Sequence, residues 1–122
     1  MPTVHVAVGR IRLRPDASRM HFHWLTMCAW LQARRAPGNL RASLRGGRGR
    51  TFWSLSVWES PERMRAYRNS GSHLRAMRAS RELAEHVEFR HWEAQSVPTL
   101  SEAIRAFARS SRRDSGSRER SG

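Results

Sequence analysis

The stretch from Thr51 to Glu59 constrains the fold more than any other part of the chain. Successive side chains of a β-strand point to opposite faces of the sheet, so Trp53 and Val57 fall on one face and Phe52 and Trp58 on the other. Strands that carry large apolar residues on both sides are usually covered on both faces. We therefore predict a central strand with packed layers above and below it.

Three further strands are predicted from the same alternation of side chains. Valines at every second position predict the first strand, and weaker alternation predicts the other two. These strands span Thr3–Leu13, Asn39–Arg45 and His86–Ala94. Because glycine readily adopts the positive φ angles of tight turns, Gly46–Gly49 is predicted to form a hairpin turn before Thr51.

The segment before the second strand has apolar residues at helical spacing. Asp16 or Ser18 is suited to cap this helix, and Pro37-Gly38 ends it after Arg35. The 3.6-residue repeat places one apolar set on a single helix face. That set is Met20, Trp24, Met27, Cys28 and Leu31.

A broken helix follows the third strand. Ser60 and Pro61 predict its start, since serine is a good cap and proline suits the first helical position. Ser70-Gly71 interrupts the helix, and Ser72 is predicted to cap a second piece that runs to Ala84.

A last helix is predicted from the capping box that Thr99 and Glu102 form. The order is therefore βαββαβ with an added C-terminal helix, which predicts an α+β, ferredoxin-like antiparallel sheet with helices on one face. This domain is predicted to span residues 1–109, with a disordered arginine- and serine-rich tail over 110–122. The second sheet face needs cover, and a homodimer is the simplest way to provide it.

The amino-acid composition limits the classes of partner that we expect for this protein. The net charge is +13, because 23 basic residues, all arginine, outnumber 10 acidic residues, and this meets the electrostatic requirement of RNA binding. Thr51 and Ser54, however, stand where an RNA-recognition domain needs a glycine and a stacking aromatic, so nucleic acid is not expected to be the partner. One cysteine, Cys28, suits a reducing cytoplasm. No apolar run approaches the roughly 20 residues of a spanning helix, so no membrane partner is expected.

Several pieces of the sequence resemble a known family. They are similar to small dimeric α/β-barrel proteins related to antibiotic-biosynthesis monooxygenases, including uncharacterised proteins near spheroidene monooxygenase. The matching pieces are TFWSLSVWES, PERMRAY, SGSHLRAM and FRHWEA. The resemblance runs from about Val4 to Phe107 and implies a ferredoxin-like fold, a homodimer and an oxygenase or a related ligand-binding protein.

Within that resemblance, haem degradation is not expected. Haem-degrading relatives have an asparagine in the first strand, a helical tryptophan and, beyond it, a ligand histidine. Here the first strand has no asparagine, Tyr67 stands at the tryptophan position and Met77 at the ligand position. His73 lies one helical turn before Met77, which leaves another haem geometry open without supporting it. The cofactor-free relatives need no cofactor at all.

His73 is the candidate catalytic residue. A histidine just after a glycine break can ligate iron or transfer a proton near neutral pH, although it can equally cap the helix or bond a carbonyl. The resemblance implies an aromatic-lined cavity in which a flat substrate stacks. The predicted substrate-binding residues are Trp24, Trp53, Trp58, Tyr67 and Met77. The tryptophans can also be ordinary core and dimer interface.

The other histidines are weaker candidates. His21 and His23 are two residues apart on a helix and point away from each other, so no metal site is predicted there. His91 and Glu93 share one face of the last strand and could act as an acid/base pair, although cross-strand structural pairing is the simpler explanation.

Three functions remain open at this point. The first is a cytoplasmic, monooxygenase-like protein that binds a small hydrophobic or aromatic molecule between sheet and helices and oxidises it. The second is a non-catalytic protein of the same fold that binds or senses such a molecule. The third is an RNA-binding module driven by the basic charge.

Overall fold

The computed structural model describes residues 3–46 and 49–109, so Gly47 and Arg48 of the predicted hairpin and the predicted tail lie outside the described residues. The predicted order of elements is confirmed, with strand boundaries that differ by one or two residues. The elements are β1 (Val4–Leu13), α1 (Arg19–Arg35), β2 (Asn39–Gly46), β3 (Thr51–Trp58), α2 (Pro61–Arg68), α3 (Gly71–Leu83), β4 (Ala84–Ala94) and α4 (residues 100–109). Within the described ranges, no helix is long and apolar enough to cross a membrane.

The strands form one antiparallel sheet in the order β2-β3-β1-β4, which is the ferredoxin-like arrangement. β3 lies between β2 and β1, as its apolar residues on both sides predicted. In the middle of the sheet, Gly9 of β1 is paired with Ser54 on one side and with Phe89 on the other. This register sets the floor of the cavity described below.

The N-caps predicted for α1, α2 and α4 are present, with Ser18 rather than Asp16 capping α1. Ser18 and Ser60 each accept a hydrogen bond from the backbone N–H three residues further on, at 3.2 and 3.3 Å. Thr99 and Glu102 form the predicted capping box, in which each backbone N–H donates to the other's side chain at 3.1 and 3.2 Å. These bonds fix the starts of α1, α2 and α4.

The break between α2 and α3 falls at the predicted place, but its cap differs. α3 begins at Gly71, and the N–H of Leu74 donates to the carbonyl of Ser70 at 3.0 Å. Ser70 therefore occupies the cap position, without a side-chain capping bond. The prediction that Ser72 caps this helix is wrong, because α3 already begins at Gly71.

α1 turns a different face to the sheet than the apolar set suggested. Phe22 and Ala33 are buried, whereas Met20 is 84% and Trp24 68% exposed. Ala33 packs in a cluster with Trp58, where its small side chain lets the helix approach the sheet closely. The predicted apolar face exists but points outward.

α4 covers the second face of the sheet. Its buried residues join one core cluster with inward-facing residues of β1 and β3, and this cluster consists of Val6, Val8, Leu55, Val57, Leu100, Ala103 and Phe107. The expectation that this face needs a second chain to cover it is therefore wrong for its centre. A homodimer stays a prediction that must rest on other grounds.

Candidate functional site

A cavity of about 130 Å³ lies between the helical face of the sheet and helices α1 and α3. The sheet supplies its floor, including the hydroxyl-bearing residues Ser54 and Ser56 of β3. α1 supplies one wall, with Ala29 and Trp30. Among the described residues that line the cavity, none is Asp, Glu or Arg. Such a lining favours an uncharged ligand, since an isolated ion in an apolar site loses its hydration.

The floor of the cavity depends on the absence of a side chain at Gly9. A Cβ atom built there would lie 2.5 Å from Cε1 of Phe89 and 2.8 Å from Oγ of Ser54, both too close for van der Waals contact. Glycine at this position therefore lets the ring of Phe89 lie across β1. Phe89 forms the β4 side of the cavity lining.

Tyr67 lines the cavity from α2. Its hydroxyl donates a hydrogen bond to the carbonyl of Ala29 at 2.9 Å, and its ring stacks on Trp58 with centroids 5.2 Å apart. Burial raises the pKa of Tyr67 to about 12. The phenol is therefore uncharged near neutral pH and already committed to a backbone carbonyl, which makes it a fixed wall rather than a proton acceptor.

His73 lines the same cavity from the first turn of α3, with its ring centroid 4.6 Å from that of Tyr67. Its Nδ1 atom is buried and has no hydrogen-bond partner among the described residues. Burial, helped by the positive charge of Arg68, lowers the pKa of His73. The imidazole is thus neutral near pH 7, and among the described residues its Nδ1 forms neither a helix-cap bond nor a bond to a carbonyl.

The structure brings together only part of the predicted aromatic lining. Tyr67 and Met77 line the cavity beside His73, and Trp58 lies beneath Tyr67 as its stacking partner. Trp24 is on the outer face of α1. Trp53 is on the opposite face of the sheet, where its ring meets that of Phe107 edge to face at 5.2 Å. Trp24 and Trp53 therefore do not share a cavity with His73.

A second group of polar residues lies at the other end of the sheet. His5 is buried, and its Nδ1 lies 2.6 Å from a carboxylate oxygen of Glu93. The ring of His91 is 5.2 Å from that of His5. Glu93 thus pairs across strands with His5 rather than acting with His91. In the described part of the chain, no three potential ligands lie close enough together to hold a metal ion.

The chain was compared with protein families and with solved structures. A family model described as antibiotic biosynthesis monooxygenase matches residues 5–79, more than half of the chain. The chain belongs to this family. Among the solved structures that resemble this chain is that of SnoaB, a cofactor-independent oxygenase from Streptomyces nogalater. A mutant of SnoaB aligns with a TM-score of 0.68 at 19% identity, covering 80% of this chain and 97% of SnoaB.

Two further solved structures share the fold. Rv0793 from Mycobacterium tuberculosis aligns with a TM-score of 0.71 at 18% identity, covering 79% of this chain and 99% of its own. A conserved protein from Methanosarcina mazei aligns with a TM-score of 0.69 at 11% identity, covering 75% and 92%. No curated protein sequence matches the chain. At identities this low, the alignments show that these proteins share the ferredoxin-like fold, and they do not show a shared substrate.

In this antibiotic biosynthesis monooxygenase family member, sequence reasoning missed several residues of the cavity. Ser54 and Ser56 carried a partial signal, because they alternate with Leu55 and Val57 on β3 and so share the face opposite to those two residues. No pattern in a single sequence would have placed Trp30 or Phe89 in the cavity lining. Trp30 enters the cavity wall because its indole N–H donates to the carbonyl of Ala42 on β2 at 2.8 Å, a contact set by how α1 is rotated.

Proposed function

We propose that this member of the antibiotic biosynthesis monooxygenase family binds a small, uncharged aromatic molecule in the cavity and oxidises it with molecular oxygen. His73 is the proton acceptor in this proposal. The observation that carries it is the unpartnered, buried Nδ1 of a neutral His73 in an otherwise uncharged cavity. SnoaB, which has the same fold, is a cofactor-independent oxygenase, and this supports the assignment by analogy.

The size of the cavity supports a substrate with a single ring. The volume is about 130 Å³, and an engineered apolar cavity of roughly 150 Å³ in another protein holds one benzene molecule. Sites for larger ligands are usually about 300–1,000 Å³. A polycyclic substrate or a haem group therefore does not fit the cavity as it stands, and no step of the proposal uses haem.

The residues present suit the removal of a proton from the substrate. In the tautomer that carries its proton on Nε2, the Nδ1 atom of His73 accepts a proton from an acidic O–H or C–H group. The resulting electron-rich anion is oxidised by O₂: when a CH₂ group becomes a carbonyl, one oxygen atom enters the product and the other leaves as water. Tyr67 and Phe89 hold the ring in place, and the low polarity of the lining keeps the imidazole neutral.

The proposal can be tested with single-ring phenols and hydroquinones as probes in an oxygen-consumption assay. We expect His73→Ala to lower the rate by about 10²- to 10⁴-fold, the usual range for a positioned acid or base. Leu74→Ala is the matched control, because Leu74 is the next residue and is exposed outside the cavity. Equal oxygen consumption by wild type and His73→Ala would contradict the proposal.

Calorimetry with the same probes separates the oxygenase from the non-catalytic alternative. Binding that depends on the cavity but consumes no oxygen would favour a protein that binds or senses a small aromatic molecule. Gly9→Ala is a suitable variant for showing that binding uses the cavity, since its new side chain collides with the lining residues Phe89 and Ser54.

The other predicted partners have weaker support. RNA-recognition domains stack bases on a bare sheet face, whereas here α4 packs on that face through Leu100 and Phe107, which weighs against RNA. The homodimer is supported by the resemblance and stays a proposal, as does a cytoplasmic location. Light scattering tests the dimer directly, and a monomer at micromolar concentration would contradict it.

A further inference from the structure

The outer face of α1 carries an exposed apolar stripe, which we define as Met20, Trp24, Met27 and Leu31. The spacing of four, three and four residues aligns these side chains along one side of the helix. They are 84%, 68%, 38% and 41% exposed, respectively. Single exposed apolar residues are normal, but a contiguous row of large ones usually marks an interaction surface. The cavity does not account for this stripe, since none of its four residues is part of the cavity lining.

The surroundings of the α1 stripe are positively charged. Between Asp16 and Glu59 the sequence contains no acidic residue, so α1 itself carries none. Arg19 lies at the start of α1, and Arg34 and Arg35 lie in its last turn. All three are exposed, and none is within ion-pair distance of a described carboxylate. The occupant of this surface must therefore be apolar and negatively charged.

Two other occupants satisfy only one of these conditions. A second copy of α1 would cover the apolar stripe, but it would set arginines and histidines against each other, because α1 contains no acidic residue. Like charges brought together in this way oppose association. A nucleic acid would satisfy the arginines through its phosphates but would leave the aliphatic side chains of Met20 and Leu31 without apolar contacts.

We propose that the α1 stripe binds the surface of an anionic lipid bilayer, with the helix lying parallel to the membrane plane. Apolar side chains on such a helix enter the boundary between headgroups and acyl chains, while flanking arginines meet lipid phosphates. Tryptophan favours this interface, which suits Trp24 at the middle of the stripe. This association does not require spanning, and no described helix is able to span.

The proposal is independent of the oxygenase activity, although the two share one helix. The inner side of α1 walls the cavity through Ala29 and Trp30, while its outer side carries the stripe. A bilayer under α1 would therefore lie close to the cavity and could hold an apolar substrate there. The test below measures binding to lipid alone, so it fails or succeeds separately from any test of oxidation.

The test is flotation of the full chain with phosphatidylcholine vesicles, made with and without phosphatidylglycerol. We expect binding only when phosphatidylglycerol is present. Trp24→Ser combined with Leu31→Ser should reduce partitioning at least tenfold. Arg34→Gln combined with Arg35→Gln should reduce it by roughly five-fold per arginine. Leu74→Ser is the matched control, since Leu74 is 47% exposed but lies on α3, away from the stripe.

Trp24→Phe provides a second measurement that keeps the stripe apolar. Wild type should show a blue shift of tryptophan emission on binding, and Trp24→Phe should still bind but lose most of that shift, because the remaining tryptophans are less exposed. All stripe variants change exposed side chains, and thermal unfolding checks that they fold.

Three results would overturn the proposal. One is the absence of binding to vesicles that contain phosphatidylglycerol. Another is binding that the double serine variant leaves unchanged, since this is adsorption by charge alone. The last is a wild-type chain that binds no lipid but self-associates, with the self-association lost in the double serine variant. This result would assign the stripe to a contact between protein chains.

Discussion

The rings of Tyr67 and His73 lie 4.6 Å apart between centroids, yet the two side chains use their polar atoms differently. The Tyr67 hydroxyl donates to the Ala29 carbonyl, while the Nδ1 of His73 has no partner in the described part of the chain. Burial raises the pKa of Tyr67 to about 12 and lowers that of His73. Both are uncharged at neutral pH, and of the two only His73 has a buried polar atom that forms no hydrogen bond within the described residues.

The lowered pKa of His73 makes the fold sensitive to acid. Because its pKa is below the ordinary value of 6.5, the unfolded chain binds this proton more tightly than the folded chain does. The stabilising contribution is fully present above pH 6.5 and is lost as the pH falls through the folded pKa. We expect His73→Gln to reduce the loss of unfolding free energy between about pH 7 and about pH 5.

Urea unfolding at both pH values measures this effect. His21→Gln is the control, since His21 is exposed on α1 and does not line the cavity. If the wild-type and His73→Gln stabilities change in parallel with pH, the folded chain does not disfavour the charged imidazole.

Tyr67→Phe tests whether Tyr67 only lines the cavity or also takes part in proton transfer. The variant keeps the ring against Trp58 but removes the hydrogen bond from the Tyr67 hydroxyl to the Ala29 carbonyl, which should cost about 0.5–1.5 kcal/mol of unfolding free energy. The pH profile of activity or ligand binding should be unchanged, because the phenol is neutral in the working range. A profile that loses its alkaline limb in Tyr67→Phe would instead give the Tyr67 hydroxyl a role in proton transfer.

Much of the fold could be predicted from the sequence, because strands and caps depend on local patterns. Three such predictions are confirmed. They are the strand β1 from its alternating valines, the start of α2 at Pro61 and the capping box of Thr99 and Glu102 at the start of α4. The side of α1 that packs on the sheet could not be predicted from the sequence, since both sides of this helix carry apolar residues at helical spacing. Packing decided it: small Ala33 fits against Trp58, and a large side chain such as Trp24 would hold the helix away from the sheet.

Only those residues of the candidate site that lie close together along the chain could be predicted from the sequence. His73 and Tyr67 stand close together along the chain on either side of the glycine break, so one segment was enough to find them. Phe89 and Ala29 reach the cavity through the register of β4 and the rotation of α1, which depend on long-range packing. Contacts between such distant parts of the chain cannot be inferred from a single sequence.

Gly9→Ala should displace Phe89 from the cavity. The new Cβ would lie 2.5 Å from Cε1 of Phe89, whose ring is half exposed and can swing outward. We expect a loss of about 1–3 kcal/mol in unfolding free energy, which is usual for overpacking, and weaker binding of single-ring probes. Phe89→Ala in the same chain should recover part of the stability, because it removes the clash.

A double-mutant cycle over Gly9→Ala and Phe89→Ala measures this coupling. Residues in contact typically show interaction energies of about 0.5–3 kcal/mol. Stabilities that add without coupling would mean that Ser54, the other close neighbour of Gly9, takes up the clash instead.

Phe107→Ala should loosen α4 from the sheet. Phe107 is buried, and its ring meets Trp53 edge to face at 5.2 Å. Removing a buried phenylalanine costs about 3–5 kcal/mol, and it would uncover the apolar sheet face beneath α4. We therefore expect both a lower unfolding free energy and concentration-dependent self-association in light scattering. Arg105→Ala, an exposed change on the same helix, should alter neither. Unchanged stability in Phe107→Ala would mean that α4 is not part of the cooperative core.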